Sequence, residues 1–286
     1  MSIDPRDALT EVGKNWNSVN WWRNRVFVPF IFGTATRLYP RYPGYDEAVR
    51  VMDEDWDTLI VLDACRADYF ERVVEIDRFD EYETQVSLGS HSSEWTRRNF
   101  QGQSFGGTVY ISANPHTSLE ASNAFHHIVE LWETDTDERT GVVPPEAVRD
   151  AAIETYKNFD DKRLIVHFMQ PHGPFIGSEI GDDHENKSEY WQAYAENLEY
   201  VMRFVDDVME AIPGKTVVTA DHGQAYASGF SELLGIGGHK PRLRFPSLVE
   251  VPWAVLDGER REIRAGETGE SKGEQIQDRL KDLGYL

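Results

Sequence analysis

Four polar clusters in this sequence stand directly behind apolar runs, and their residue types suit chemistry on an anion held by a cation. Asp63 follows TLIVL at 58–62, and Ser87 follows YETQV at 82–86. Gln170-Pro171-His172 follows LIVHFM at 164–169, and Asp221-His222-Gly223 follows TVVTA at 216–220. Two carboxylates and an imidazole make a hard, mixed oxygen and nitrogen donor set, suited to a divalent cation such as Mn²⁺, Zn²⁺ or Ca²⁺. A serine oxygen that completes such a shell loses its proton more readily and becomes a nucleophile. Further histidines and bases can then hold an oxyanion and protonate a leaving group. Taken singly, each residue has a plain structural reading: an Asp behind a strand caps the next helix, and a buried His satisfies a core hydrogen bond. Convergence at one sheet edge is what separates the two readings, because ligands of open parallel sheets gather at the carboxyl ends of the strands.

The elements needed to bring these clusters together are legible in the hydrophobic pattern. Short apolar runs at 58–62, 108–113, 164–169, 216–220 and 251–256 read as buried strands, and 82–86 as extended. Helical periodicity covers 66–74, 93–100, 146–159 and 190–212. In the last of these, Leu198, Val201, Met202, Val205, Val208 and Met209 recur at spacings of three and four. Strands alternating with helices predict an α/β protein, a mostly parallel central sheet with helices on both faces. Residues 1–45 read as an aromatic-rich N-terminal arm, 46–260 as the catalytic α/β domain, and 261–286 as a charged tail closed by a short helix at 274–283.

Placed in this frame, the clusters resemble a known group. TLIVLDACRADYF, residues 58–70, resembles the first motif of the sulfatase branch of the alkaline phosphatase superfamily, a strand ending in a metal-binding Asp with Arg three residues later. That group also takes in phosphonate monoester hydrolases and lipoteichoic acid synthase-like enzymes. SLGSH, residues 87–91, stands where that branch has Cys-x-Pro-Ser-Arg or, in phosphotransferase relatives, Thr-Leu-Pro-Ser-His. The first residue of that motif is the nucleophile, so the resemblance gives the role to Ser87, with Ser90, Ser92 or Thr84 as alternatives if the local register slips. YISANPH, 110–116, is similar to the strand ending in Gly-Lys-Trp-His and places Asn114 and His116 near the substrate. HFMQPHGPF, 167–175, resembles the segment whose second histidine, here His172, touches the transferred group. VVTADHGQA, 217–225, is similar to the Asp-His-Gly metal motif, and GGHK puts His239 and Lys240 at the site.

The resemblance implies an alkaline phosphatase-like core and one divalent metal ion (Mn, Ca or Zn) held by Asp63, Ser87, Asp221 and His222. It implies Ser87, His172 and His239 as catalytic residues, and Arg66, His91, Asn114, His116, His167 and Lys240 as substrate contacts. The activity expected is hydrolysis or transfer of a phosphate, phosphonate or sulfate ester; the alternative is an inactive relative that binds an anionic glycan or lipid headgroup. Three departures bear on the substrate. No cysteine holds the nucleophile position, and Gly89 and His91 replace the proline and arginine of the modification motif, so formylglycine is not expected. Ala64 stands where many sulfatases have a second consecutive Asp ligand. The chain ends soon after the last strand, so the larger C-terminal subdomain of full sulfatases, which shapes much of their pocket, is expected to be absent.

Composition narrows the partners. With a formal net charge of −21 and few lysines, the surface repels DNA, RNA and anionic lipid, and nucleic-acid binding is excluded as a role. Such acidity also suits a high-salt, halophilic cytoplasm. The single cysteine, Cys65, excludes an intrachain disulfide and a cysteine-based zinc cluster, and the expectation is a buried, idle thiol. No secretory signal and no membrane-spanning run is visible, which gives a cytoplasmic expectation. Trp16, Trp21, Trp22, Phe27, Phe30 and Phe32 crowd the arm, which leaves peripheral membrane or partner contact as its alternative to simple packing. The expected partner of the core is an anionic small-molecule, glycan or lipid ester. His126 and His127 fall in no motif.

Overall fold

The computed structural model describes residues 12, 16–22, 43–178, 180, 186–225, 239 and 242–269. Its centre is a seven-stranded sheet in the order β2-β7-β6-β1-β5-β3-β4. The strands are β1 (Thr58–Asp63), β2 (Glu81–Val86), β3 (Phe105–Ser112), β4 (Phe125–Glu130), β5 (Arg163–Pro171), β6 (Thr216–Ala220) and β7 (Glu250–Leu256). Only β7 runs against its neighbours; β6, β1, β5, β3 and β4 are parallel. The expected α/β architecture, mostly parallel and covered on both faces, is the one the chain adopts.

The apolar runs are continuous because both sheet faces are covered. In β1, Leu59 and Val61 point into one apolar cluster, with Trp56, Trp95 and Phe100, while Ile60 and Leu62 point into the other. Helix α1 (Ala67–Val73) follows β1, and α2 (Ser92–Phe100) follows β2. Helix α3 is His116–Ala121, α4 is Pro145–Asn158 and α5 is Lys187–Ala211. The stripe of Leu198, Val201, Met202, Val205 and Val208 on α5 enters the same cluster as Ile60 and Leu62, so the three-and-four spacing is the face that meets the sheet. Asn186 caps α5, its side-chain oxygen accepting from the amides of Ser188 and Glu189.

The differences from the sequence expectation are local. Strand β4 and helix α3 were not foreseen: β4 is half-exposed at the sheet edge and contains His126 and His127, and α3 spans a single short run. Their apolar residues are too few for a periodic signal. Residues 257–269 are mostly exposed, as charge and glycine content predict, yet they are tied along the amino-terminal edge of the sheet. Arg261 donates to the Asp57 carbonyl at 2.6 Å, the Arg264 amide to Asp161 at 2.8 Å and the Gly269 amide to Phe125 at 3.0 Å. The helix expected at 274–283, and residues 1–11, 13–15 and 23–42 of the arm, lie outside the described residues. Among the described residues, no helix is long and apolar enough to cross a membrane.

Candidate metal centre

Parallel pairing in register sets the site. Leu62 on β1 pairs with Ala220 on β6, so the residues that follow, Asp63 and Asp221, leave adjacent strands at the same edge. On the other side of β1, Val61 pairs with His167 of β5. Ala64 then turns the chain with a φ of 60°, a left-handed conformation that costs a non-glycine residue about 1 kcal/mol or more. Three bonds hold it there: its amide donates to Asp221 Oδ1 at 3.1 Å, its carbonyl accepts from Tyr194 Oη at 2.7 Å, and the Arg66 amide, two residues on, donates to Tyr194 Oη at 3.0 Å.

Each carboxylate is half satisfied. Asp63 Oδ2 accepts from Asn114 Nδ2 at 2.7 Å and from Ser92 Oγ at 3.3 Å, while Asp221 Oδ1 accepts from the amides of Ala64 and His222, the latter at 2.8 Å. The other oxygens, Asp63 Oδ1 and Asp221 Oδ2, are buried with no hydrogen-bond partner among the described residues. His222 Nε2 lies 3.6 Å from the first and 3.4 Å from the second. Its Nδ1 is 2.7 Å from the Gly223 carbonyl, which can only accept. The proton is therefore on Nδ1, and in the neutral ring the Nε2 lone pair faces two carboxylate oxygens. His167 Nε2 is also buried, with no hydrogen-bond partner among the described residues, 3.9 Å from Asp221 Oδ2, with Tyr110 Oη 2.8 Å from its Nδ1.

An unpaired buried lone pair costs a few kcal/mol, and here several converge. Donor atoms of Asp63, His167 and Asp221 lie within 4.8 Å of one another, and His222 closes the group. These residues fit a divalent cation, which would satisfy every one of the orphaned atoms at once. His222 Nε2 stands 3.6 Å from Asp63 Oδ1 and 3.4 Å from Asp221 Oδ2, and His167 Nε2 3.9 Å from Asp221 Oδ2, so both imidazoles border the same space.

Electrostatics agree with that fit. Burial, and next the charge on Asp221, push the Asp63 carboxyl up to about 6. Burial also works against ionised Asp221, but His222, His167, Ser92 and the Ala64 amide outweigh it and hold its carboxyl below the usual range. In the cation-free pair Asp221 thus ionises first and Asp63 keeps its proton longer. Burial pushes the surrounding imidazoles down, His91 to about 3, His116 and His167 to about 4, and His239 well below its ordinary value.

The expected site residues largely meet. Asp63, Asp221 and His222 form the centre. The His239 ring lies 4.9 Å from those of both His222 and His172, and His172 donates its amide to the Asp63 carbonyl at 3.2 Å. Asn114, expected near the substrate, is buried and donates to Asp63 Oδ2. His116 opens α3, with its amide on Asn114 Oδ1 at 3.0 Å, and His91 precedes α2. Arg66 is engaged by Asp68, at 2.8 Å through both Nε and Nη2, and by the Gln224 carbonyl at 3.3 Å; its guanidinium lies over Tyr69 and Trp191. Lys240 lies outside the described residues.

The serine differs. Ser87 Oγ donates to the main-chain carbonyl of Asp221 and accepts from the Gly89 amide at 3.1 Å, which ties the loop to β6 rather than facing the carboxylates. Ser92 is the hydroxyl among them, 3.3 Å from both Asp63 Oδ2 and His222 Nε2. The reason lies in how the loop ends. A Cβ on Gly89 would stand 2.5 Å from the Trp95 amide, so the segment folds tightly onto the start of α2 and delivers that helix's first residue to the site. The usable signal was a serine run opening a helix, where amides leave an anion-friendly end.

No family model matches the chain, and no curated protein does. Solved structures do. The soluble domain of lipooligosaccharide phosphoethanolamine transferase A from Neisseria meningitidis aligns with a TM-score of 0.50 at 14% identity, over 70% of this chain and 75% of that one. The zinc complex of the C-terminal periplasmic domain of EcEptC from Escherichia coli aligns at 0.53 and 11% identity, over 71% and 72%. Against the integral membrane form of the Neisseria transferase the score is 0.50 at 13% identity, and the match spans 47% of that protein. At these identities the likeness speaks for the fold.

Proposed function

We propose that this chain, whose fold is that of the sulfatase-like branch of the alkaline phosphatase superfamily, is a metal-dependent hydrolase or transferase of phosphate, phosphonate or sulfate esters with Ser92 as its nucleophile. The observation that carries the reading is the Ser92 hydroxyl, 3.3 Å from both Asp63 Oδ2 and His222 Nε2, beside carboxylate oxygens with no hydrogen-bond partner among the described residues. Asp63, Asp221 and His222 would hold the cation together with Ser92, and His167 would border it. A divalent cation there supplies a lowered pKa for a bound hydroxyl and a sink for charge on an ester oxygen.

With its proton given up to solvent when the cation binds, Ser92 Oγ would attack phosphorus or sulfur in line. As the new bond forms, the bond to the leaving alcohol breaks. His172 or His239, whose rings lie together beside the centre, protonates the departing oxygen. Water, or a second alcohol, then attacks the ester on Ser92 and restores the hydroxyl. The α2 N-terminus adds amides that favour the charge of the transferred group.

The charge around the centre supports a substrate with a single negative charge. Arg66 is engaged by Asp68, and burial holds His91 and His116 neutral. A phosphodiester or phosphonate monoester suits that balance, and an unmodified serine suits phosphoryl or phosphonyl transfer better than sulfate hydrolysis. Two of the aligned structures are of lipooligosaccharide phosphoethanolamine transferase A, its soluble domain and its integral membrane form, so an ester of a lipid headgroup or glycan is included. Within this reading the enzyme acts in the cytoplasm, with peripheral contact through the arm, where Trp16 is 71% exposed.

Turnover of bis(p-nitrophenyl) phosphate, p-nitrophenyl phenylphosphonate and p-nitrophenyl sulfate with Mn²⁺, Zn²⁺ or Ca²⁺ tests it. The reading expects metal-dependent release from the first two, lost in Ser92→Ala. Cation binding without turnover of any ester would favour the second reading, a binding protein for an anionic glycan or headgroup.

A further inference from the structure

The segment ahead of the sheet is fastened to the helix that carries Ser92. Tyr45 Oη donates to Glu94 Oε1 at 2.8 Å, and its ring lies between two guanidinium groups, Arg98 at 3.8 Å and Arg244 at 4.1 Å. Glu94 is the third residue of α2, 1% exposed. Besides Tyr45, its Oε1 accepts from Arg98 Nε at 2.9 Å. Its Oε2 accepts from Ser90 Oγ at 3.0 Å and from the amides of Ser90 and Arg242 at 3.3 Å. One carboxylate thus reaches back over the helix start, as in a capping box, and fixes the loop that enters it.

The same strap is bonded at both ends. Arg244 donates to the carbonyls of Pro43 at 2.8 Å, Gly44 at 3.1 Å and Ser87 at 2.9 Å, and the Val51 amide donates to Asn99 Oδ1 of α2 at 3.2 Å. A buried carboxylate with this many donors is far more than solubility or helix propensity requires. What it immobilises is the turn on which Ser92 sits.

We propose that Glu94 and Tyr45 are positioning residues that hold Ser92 in the cation site, so that residues 43–51 are a working part of that site rather than an appendage to it. The proposal rests on the reading that Ser92 belongs to the cation's surroundings.

Calorimetric titration of the full chain with Mn²⁺ tests both, as a double-mutant cycle of Glu94→Gln and Ser92→Ala, with thermal melting of each metal-free variant alongside. Loss of an outer partner of a ligand typically lowers metal affinity about 10- to 100-fold. Glu94→Gln is expected to fall in that range, Tyr45→Phe about 3- to 10-fold, and Glu94→Gln to have no further effect once Ser92 is Ala. Equal losses in both backgrounds, or lowered melting with unchanged Mn²⁺ affinity, overturn the positioning role. An unaltered affinity in Ser92→Ala alone, or no Mn²⁺ binding by the parent chain, overturns the reading beneath it as well. Should Glu94→Gln not fold, Tyr45→Phe, which removes one hydroxyl, takes its place in the cycle.

Discussion

Ser92 Oγ donates to Asp63 Oδ2 across 3.3 Å and so joins the first residue of one helix to the last residue of the central strand. Ser87, the serine that motif position favours, is bonded to main-chain groups instead. The two substitutions therefore separate. Ser92→Ala is expected to lower kcat for a responsive diester by at least about 10³-fold, with little change in melting. Ser87→Ala strands a buried Gly89 amide and a carbonyl, costing about 1–3 kcal/mol of stability, while catalysis per folded molecule stays within about tenfold. Steady-state kinetics beside thermal melts check both.

Cation affinity is expected to depend on pH through Asp63. Burial and Asp221 lift its carboxyl from 3.8 to about 6, and the cation needs it ionised. Because the folded-state value is raised, protonated Asp63 favours the fold fully below about pH 3.8, and that contribution is lost as pH rises through 6. In the metal-free protein, ionisation above that range leaves an uncompensated charge. Mn²⁺ titrations from pH 5 to 8 should show affinity falling about tenfold per unit below pH 6 and levelling above it.

Removing the cation should loosen the fold most at neutral pH. At a free concentration about 100 times Kd, a ligand bound only by the native state adds about 2.7 kcal/mol, or roughly 5–10 °C for a domain of this size. A melt with Mn²⁺ against one with a chelator reads this directly. Asp63→Asn should abolish the difference, because the amide cannot replace the anionic ligand.

How much of this was legible depends on what each residue reports. The buried strands β1, β5 and β6 read clearly because both faces are covered, which turns them into unbroken apolar runs. Asp63, Asp221 and His222 followed, since the residue behind a parallel strand lands at a common edge. Ser92 was legible only as an alternative: a serine's duty depends on how the preceding loop packs, and the Gly89 approach to Trp95 is a contact in space. Asn114 and Tyr110 likewise act through partners distant in sequence, Asp63 and His167. Strand β4 is short and half-exposed, and its pattern gave no period to read.

The amino-terminal edge of the sheet offers a control. Asp57 is fully buried and accepts from Arg260 Nε at 2.8 Å and Nη2 at 3.1 Å and from the Lys215 amide at 2.9 Å, fastening residues 257–269. Asp57→Ala is expected to cost about 2–4 kcal/mol, short of the full loss for a buried pair because Arg260 is half-exposed. Mn²⁺ affinity should stay unchanged, since Asp57 lies at the opposite end of β1 from Asp63. Denaturant melts and metal titration on the same variant read the two effects apart.

The most direct test is anomalous diffraction from crystals of the full chain soaked with Zn²⁺ or Mn²⁺. The account predicts one strong peak bounded by Asp63, Asp221 and His222, with Ser92 Oγ about 2.0–2.5 Å from it. A peak coordinated by Ser87 in its place, or no peak among these side chains at saturating metal, would contradict it.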